Sequence, residues 1–279
     1  QRYQNLTTTS SPYERLPSIS INHTDEYEDI YGFSMLETNL NMSLTQFERN
    51  HNFVASSLDS NVTGTRFIAN PSVSVPFENT YGYIKPKLTM NIMSYELEGG
   101  STGSKSMTIP TFSFESGVFL DKKLNLAGEN FTQTLEPRIF YSYTPYRNQE
   151  TLPMFDTALT DLNLESLFLE NQFVGGDRIM DSNQFTIAAT TRFIDDSGYE
   201  RLNATIAQRF YINDRKVLKE NQYINSVVQS DSSDLFLAAT AYLNKALRID
   251  SEIQYNPDES STNRATFKTS FTPQPGKLL

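Results

Sequence analysis

Cysteine is absent from all 279 residues, which excludes disulfide scaffolds, thiolate metal sites and cysteine nucleophiles within this chain. Histidine occurs only at His23 and His51, in separate polar stretches with no metal-spaced partner, so neither reads as a ligand or a catalytic base. No apolar run nears the roughly 20 residues of a spanning helix, which excludes a helical membrane protein and leaves a strand-built one open. Basic residues are outnumbered, 23 against 33 acidic, and a net charge of -10 repels phosphate backbones, so no nucleic-acid partner is expected. Apolar residues make up 38% and mean hydropathy is -0.46, lean for filling a large dry core. EGGSTGSKS at 98–106 lacks both the adjacent Gly-Lys pair and the following helix of a phosphate loop, and without that helix its GGSTG is no nucleophile elbow. The expectation is a protein that is not an enzyme and carries no cofactor.

What is present favours strands: 19 Phe, 15 Tyr and abundant Thr, Ser and Asn, without the Ala/Leu/Glu/Lys blend that makes helices. In QFTIAATTRFIDDSGYERLNATIAQRFYI, residues 184–212, Phe185, Ile187, Ala189, Thr191 and Phe193 alternate with Thr186, Ala188, Thr190 and Arg192. After a polar turn, Leu202, Ala204, Ile206 and Phe210 alternate with Asn203, Thr205, Ala207 and Arg209. That is a hairpin with one apolar and one polar face. Apolar faces stacked on each other would make a soluble sandwich; apolar faces against lipid would make a barrel wall.

The same alternation predicts about eleven strands, near 13–21, 30–47, 63–77, 81–97, 106–120, 131–144, 184–193, 200–212, 234–243, 246–255 and 264–272. Most exceed the average soluble strand and match the length that crosses a bilayer at a tilt. Their connections alternate, short near 22–29, 78–80, 121–130, 194–199 and 244–246, long near 48–62, 98–105, 145–183, 213–233 and 256–263. Tight turns on one side and long loops on the other are the pattern of an up-and-down membrane barrel. Along 246–255, Leu247, Ile249, Ile253 and Tyr255 alternate with Arg248, Asp250, Glu252 and Gln254, a face too charged for a dry core but suited to a watery lumen. Tyr81, Tyr83, Phe77, Phe193, Phe210 and Tyr211 fall near strand ends, where interfacial girdles would lie.

Pro71, Pro86, Pro110 and Pro137 fall inside these strands and remove ladder donors, so bulges or local openings must absorb them. In the longest connection, Asp161 as N-cap followed by Leu162, Leu164, Leu167 and Phe168 predicts a short amphipathic helix, stopped by Gly175 and Gly176. Asp156, Asp161, Asp177 and Asp181 share that connection; solvated turn carboxylates are the expectation, a divalent-cation site the alternative, and their spacing fits no calcium loop. The parity of the strands places Glu136, Arg138, Arg192 and Arg209 on the polar, lumen-facing side. The start at Gln1, without methionine or signal segment, reads as a mature or excised piece.

Residues 131–215 carry a set of short motifs in a fixed order: LEPR (135–138), PYRNQ (145–149), FDTAL (155–159), LF-x-EN-x-F (167–173), G-x-DRI ending at Ile179, NQ (183–184), T-x-RF (190–193), ER (200–201) and QRFY (208–211). This stretch resembles the LptD family, the lipopolysaccharide-assembly barrels of the Gram-negative outer membrane. The resemblance implies an all-β, antiparallel up-and-down transmembrane barrel of twenty-six strands with a periplasmic jelly roll before it. It also implies a lipoprotein plug, LptE, in the lumen; a periplasmic bridge protein, LptA, reached through the N-terminal domain; lipopolysaccharide as cargo; and the barrel-assembly machine, BAM, as a folding partner. Against that pattern, residues 1–279 read as an incomplete segment of a barrel: about eleven strands, a long extracellular loop at about 145–183, no jelly roll, and an end, TPQPGKLL, without the aromatic of a closing strand. The four lumen-facing residues are expected to contact plug or lipopolysaccharide. Tyr146, Arg147, Phe155, Asp156, Asp177, Arg178 and Asn183 are expected to form the loop that caps the lumen. A passive diffusion porin, or a partial barrel held as a folding substrate of BAM, are the alternatives.

Overall fold

A computed structural model describes residues 13–30, 33–48, 62–99, 102–126, 128–217 and 230–272. Its strands are β1 (Glu14–Ile30), β2 (Phe33–Glu48), β3 (Val62–Ser74), β4 (Phe77–Asn79), β5 (Gly82–Gly99), β6 (Gly103–Val118), β7 (Leu120–Leu126) and β8 (Glu129–Thr144). After the small pair β9 (Ala158–Leu159) and β10 (Phe173–Val174) come β11 (Ser182–Asp195), β12 (Glu200–Tyr211), β13 (Leu235–Tyr242), β14 (Leu247–Asn256) and β15 (Ser261–Phe271). All but β9 and β10 form one antiparallel sheet in chain order, β1-β2-β3-β5-β6-β8-β11-β12-β13-β14-β15. β4 prolongs β3 on the edge of β5 and β7 prolongs β6 on the edge of β8, each in unchanged register, so the wall has eleven long strands. Every neighbour is the next strand in the chain, which is up-and-down order and not a Greek key.

The two faces differ as a two-solvent wall requires. On one face the cross-strand row Val73, Leu88, Phe112 and Tyr143 is 37%, 45%, 41% and 44% exposed, and Ile139 beside Ile187 and Ile206 beside Leu237 continue it. Among the described residues no second sheet covers these side chains. The buried residues lie on the opposite, inner face, under the connection between β8 and β11. This arrangement is a barrel wall and not a sandwich: the core is made by the sheet and its own loop.

The four prolines all project outward at points where one neighbouring ladder is open. Pairing of β3 with β5 skips Asn70 and Pro71, and at the gap the Asn70 side-chain Nδ2 donates to Asn91 Oδ1 at 3.0 Å. Pro86 faces the break between β3 and β4, Pro137 the break between β6 and β7, and Pro110 lies just before β6 begins to pair with β8. Openings rather than bulges therefore absorb the missing N–H groups.

Several boundaries move. β1 and β2 pair continuously from Ser18–Thr45 to Ile30–Phe33, so 22–29 is strand and His23 sits in β1, exposed, with Nε2 2.7 Å from Asp25 Oδ2. His51 lies outside the described residues. β7 and the start of β8 occupy most of 121–130, and strand pairing extends into 98–105, where β5 runs to Gly99 and β6 starts at Gly103. Tyr83 and Tyr211 face inward, Tyr83 donating to Glu115 at 2.6 Å and Tyr211 lying under Arg215, while Phe77 and Tyr81 are exposed. The amphipathic helix is a single 3-10 turn, Ser166–Phe168, and Asp161 does not cap it. Asn163 and Ser166 exchange bonds instead: the Asn163 N–H donates to Ser166 Oγ at 2.9 Å and the Ser166 N–H to Asn163 Oδ1 at 2.8 Å. The leucine spacing serves packing, since Leu162, Leu164, Leu167 and Phe168 rest on Ala188, Ala207 and Phe236 of three adjacent strands.

Candidate functional site

Arg66 projects inward from β3 between Thr45 on β2 and Tyr95 on β5, neither of them acidic. A guanidinium so placed must find its counter-charge outside the ladder. The loop supplies it. Arg66 Nη1 and Nη2 donate to the Asp156 oxygens at 2.5 and 2.9 Å, and Nη1 also reaches Asp177 Oδ1 at 2.7 Å. Asp177 is fully buried and saturated: Tyr95 Oη donates to Oδ1 at 3.2 Å, while the Phe155 N–H, the Asp156 N–H and Thr157 Oγ1 donate to Oδ2 at 2.8, 3.0 and 3.2 Å. Arg15 adds a contact to Asp156 at 3.2 Å. Gly175 makes the turn that brings Asp177 back, with φ +85°, and a Cβ there would stand 2.5 Å from the Asp156 carbonyl oxygen. Gly175→Ala is therefore expected to destabilise the docked loop by roughly 1–3 kcal/mol, read as earlier proteolysis within 145–181.

Around this ion cluster the loop is stapled to itself and to the sheet. Arg178 donates to the carbonyls of Leu152, Pro153 and Asp177 at 3.0, 3.1 and 2.8 Å. Gln149 and Ile179 exchange two bonds, at 2.8 and 3.0 Å. Phe155 stacks on Phe47, with centroids 4.4 Å apart and planes 11° apart, inside a cluster with Tyr13, Tyr95, Leu152 and Ile179. Glu170 receives Ser113 Oγ at 2.6 Å and Lys87 at 3.2 Å. A cavity of about 1240 Å³ lies beside it, lined by amides, hydroxyls and paired charges such as Asn39, Asn70, Ser72, Lys85 and Glu115.

Of the residues singled out from the sequence, Phe155, Asp156, Asp177 and Arg178 come together here. Tyr146 and Arg147 stay at the exposed rim, Tyr146 under the Lys216 ammonium at 5.7 Å. Asn183 belongs to β11, where it accepts from Tyr141 Oη at 3.0 Å and donates to Asn213. Glu136, Arg138, Arg192 and Arg209 share the inner face but not one site. Arg192 bridges Glu136 and Glu200 at 3.0 Å each, Arg138 pairs with Glu115 at 2.9 Å, and Arg209 donates to the Ser166 carbonyl at 2.7 Å.

The four loop aspartates do not converge on a cation. Asp156 and Asp177 are bound by Arg66, Asp181 accepts from the Lys216 and Val217 N–H groups at 2.9 and 2.7 Å, and only Asp161 is the solvated carboxylate expected of it. Burial alone would raise the Asp156 carboxyl, but the Arg66 hydrogen bonds and the Arg66 and Arg15 charges outweigh it and hold the group below its ordinary value. A depressed carboxylate favours the docked state above the ordinary range and loses that contribution as pH falls through the folded value. Loop protection from protease is therefore expected to stay flat from about pH 8 to 5 and to fall only below about pH 4. Arg66, Tyr95 and Glu170 were not legible as site residues; the one signal is a lone arginine in the alternating run TRFIAN, with no acidic residue near it in the chain.

The model of the family described as LPS transport system D matches residues 1–279. The chain belongs to this family. Among LptD relatives, the LPS-assembly protein LptD of Chromobacterium violaceum is 37% identical over 100% of this chain and 34% of its own length. Those of Nitrosospira multiformis and Pseudomonas putida strain GB-1 are 36% and 34% identical, each over 96% of this chain and over 28% and 33% of their lengths. The chain thus spans about a third of the LptD relatives it matches. The LptD-like motifs at 131–215 coincide with β8, the docked loop, β11 and β12, so the part of the sequence that carried the resemblance supplies the carboxylates of the ion cluster, while Arg66, Tyr95 and Arg15 come from β3, β5 and β1.

Proposed function

We propose that this chain is a wall segment of an outer-membrane barrel through which lipopolysaccharide is delivered to the cell surface. The observation that carries the reading is the division of the sheet: a bare apolar outer face, and a polar inner face on which the chain lays its own loop. Such a wall does no covalent chemistry. The outer face meets hydrocarbon, the inner face meets the saccharide and phosphate part of the cargo and a plug, and the docked loop closes part of the lumen on the long-loop side. The edges of β1 and β15 carry backbone groups that lipid cannot satisfy, so further strands of a larger barrel pair with them. Within this reading LptE is the plug, LptA delivers the cargo through a periplasmic domain, BAM folds the barrel, and Glu136, Arg138 and Arg192 belong to the lining.

The test is depletion, in cells, of the polypeptide that carries this segment. Newly made lipopolysaccharide is expected to stop reaching the surface, and the purified barrel to migrate faster on a gel before heating and to bring the plug lipoprotein with it. Normal surface lipopolysaccharide together with open small-solute conductance in planar bilayers would instead make the chain a diffusion porin.

A further inference from the structure

The two halves of the long loop are held in different ways. Residues 149–157 and 175–181 are locked by a charge-balanced cluster in which every carboxylate oxygen of Asp177 is used. Residues 162–170 lie over two guanidinium groups whose donors are not all used: Arg138 has Glu115 as its counter-charge, at 2.9 Å, whereas among the described residues Arg209 has no carboxylate. Arg209 is fully buried; its Nη2 donates to the Ser166 carbonyl, and its Nε and Nη1 have no hydrogen-bond partner among the described residues. Arg138 lies 3.8 Å from the centre of the Phe168 ring and its Nε is likewise buried without a partner. Three orphaned guanidinium nitrogens thus sit beneath one three-residue turn. Arg209, a buried cation without a carboxylate, is an unfavourable arrangement that native proteins keep for a reason.

We propose that the Ser166–Phe168 turn is a cover over a seat for one phosphate group, bound by Arg209 and Arg138 when the turn lifts. Two guanidinium forks on different strands suit a tetrahedral dianion, whereas a carboxylate offers only two oxygens and is filled by one fork. What keeps the cover down without the anion is visible: Leu167 is buried against Ala188, Ala207 and Phe236, and Thr186 Oγ1 donates to the Leu167 carbonyl at 2.6 Å. An anion that binds only the open form shifts that balance by its differential affinity. The phosphate comes either from a phosphorylated glycolipid headgroup or from free phosphate. The first source rests on the transport function proposed above; the seat itself does not.

Residues 1–279 carry no native thiol, so in the parent barrel in detergent micelles, with any cysteine outside this segment replaced, Ser166→Cys provides a unique reporter in the cover and Leu152→Cys, in the locked half, a control. Alkylation at position 166 is expected to run several-fold faster in inorganic phosphate than in chloride of equal ionic strength, and to saturate, while position 152 stays protected. Arg209→Gln is expected to abolish the phosphate response with heat-modifiable migration intact, and Arg209→Lys to weaken it. Micelles of a phosphorylated glycolipid and of its dephosphorylated form separate the sources: acceleration by the phosphorylated lipid assigns the headgroup, and acceleration by inorganic phosphate alone assigns the free ion. Equal rates in phosphate, chloride and both lipids, or an unchanged response in Arg209→Gln, would overturn the proposal and leave the nitrogens to ordered water. Loss of lipopolysaccharide export is read separately in cells, so the transport reading can fail while the phosphate response stands.

Discussion

Arg66→Ala is expected to cost roughly 3–5 kcal/mol of loop docking, because it leaves the fully buried Asp177 without its cation and Asp156 with Arg15 alone. The loss is not that of a surface ion pair. Asp177 can be neither hydrated nor turned outward while Phe155, Asp156 and Thr157 hold it. Protease cleavage within 145–181, with strand content unchanged, is the measurement. Arg66→Lys is expected to restore little, since a point charge cannot serve the Asp156 fork and Asp177 together. Adding Asp156→Asn and Asp177→Asn to Arg66→Ala should recover part of the loss, because the stranded charge disappears with its partners. Full protection in Arg66→Ala would show that the aromatic stack of Phe47 and Phe155 holds the loop without the ion cluster.

The second large effect lies one residue from a position where charge is already tolerated. Lys87 faces inward and meets Glu170 at 3.2 Å, whereas Leu88 faces outward between Val73 and Phe112. Leu88→Arg is expected to lower the stability of the folded barrel in bilayers by roughly 2–4 kcal/mol, the cost of a cation at mid-depth in lipid. Denaturant titration in lipid vesicles reads it. Equal tolerance of a charge at positions 87 and 88 would mean that the outer face is wet or covered by protein.

How much of this was legible in the sequence depends on what each signal measures. Period-two alternation reports which solvent a face meets, and so β11 and β12 were placed to within two residues and their pairing follows it, Phe185 opposite Phe210 and Ile187 opposite Gln208. The tight turns gave the up-and-down order, because a tight turn forces the next strand to be the neighbour, but the strict alternation did not hold: 98–105 and 256–263, expected to be long, leave three and four residues between strands. Alternation is lost where strands leave the apolar belt. In β1, His23, Asp25, Glu26 and Glu28 look like a turn, yet backbone pairing with β2 carries the strand through them. Helical spacing misled for a different reason, since Leu162 to Phe168 pack on Ala188, Ala207 and Phe236 of three strands and only Ser166–Phe168 makes a turn. The ion cluster was half legible. Its acids stood together in one loop and suggested a cation, but the cation is a side chain 90 and 111 residues away, and only the strand register brings it there.

The central claim is that hydrocarbon wets one face of the sheet and water the other. Nitroxides placed singly at Ile187, exposed on the outer face of β11, and at Thr190, three residues on and facing inward, test it in bilayers. Collision with dissolved oxygen is expected to dominate at 187 and with a water-soluble nickel chelate at 190. Preference for the nickel reagent at both positions, or protection from both reagents at 187, would contradict the account.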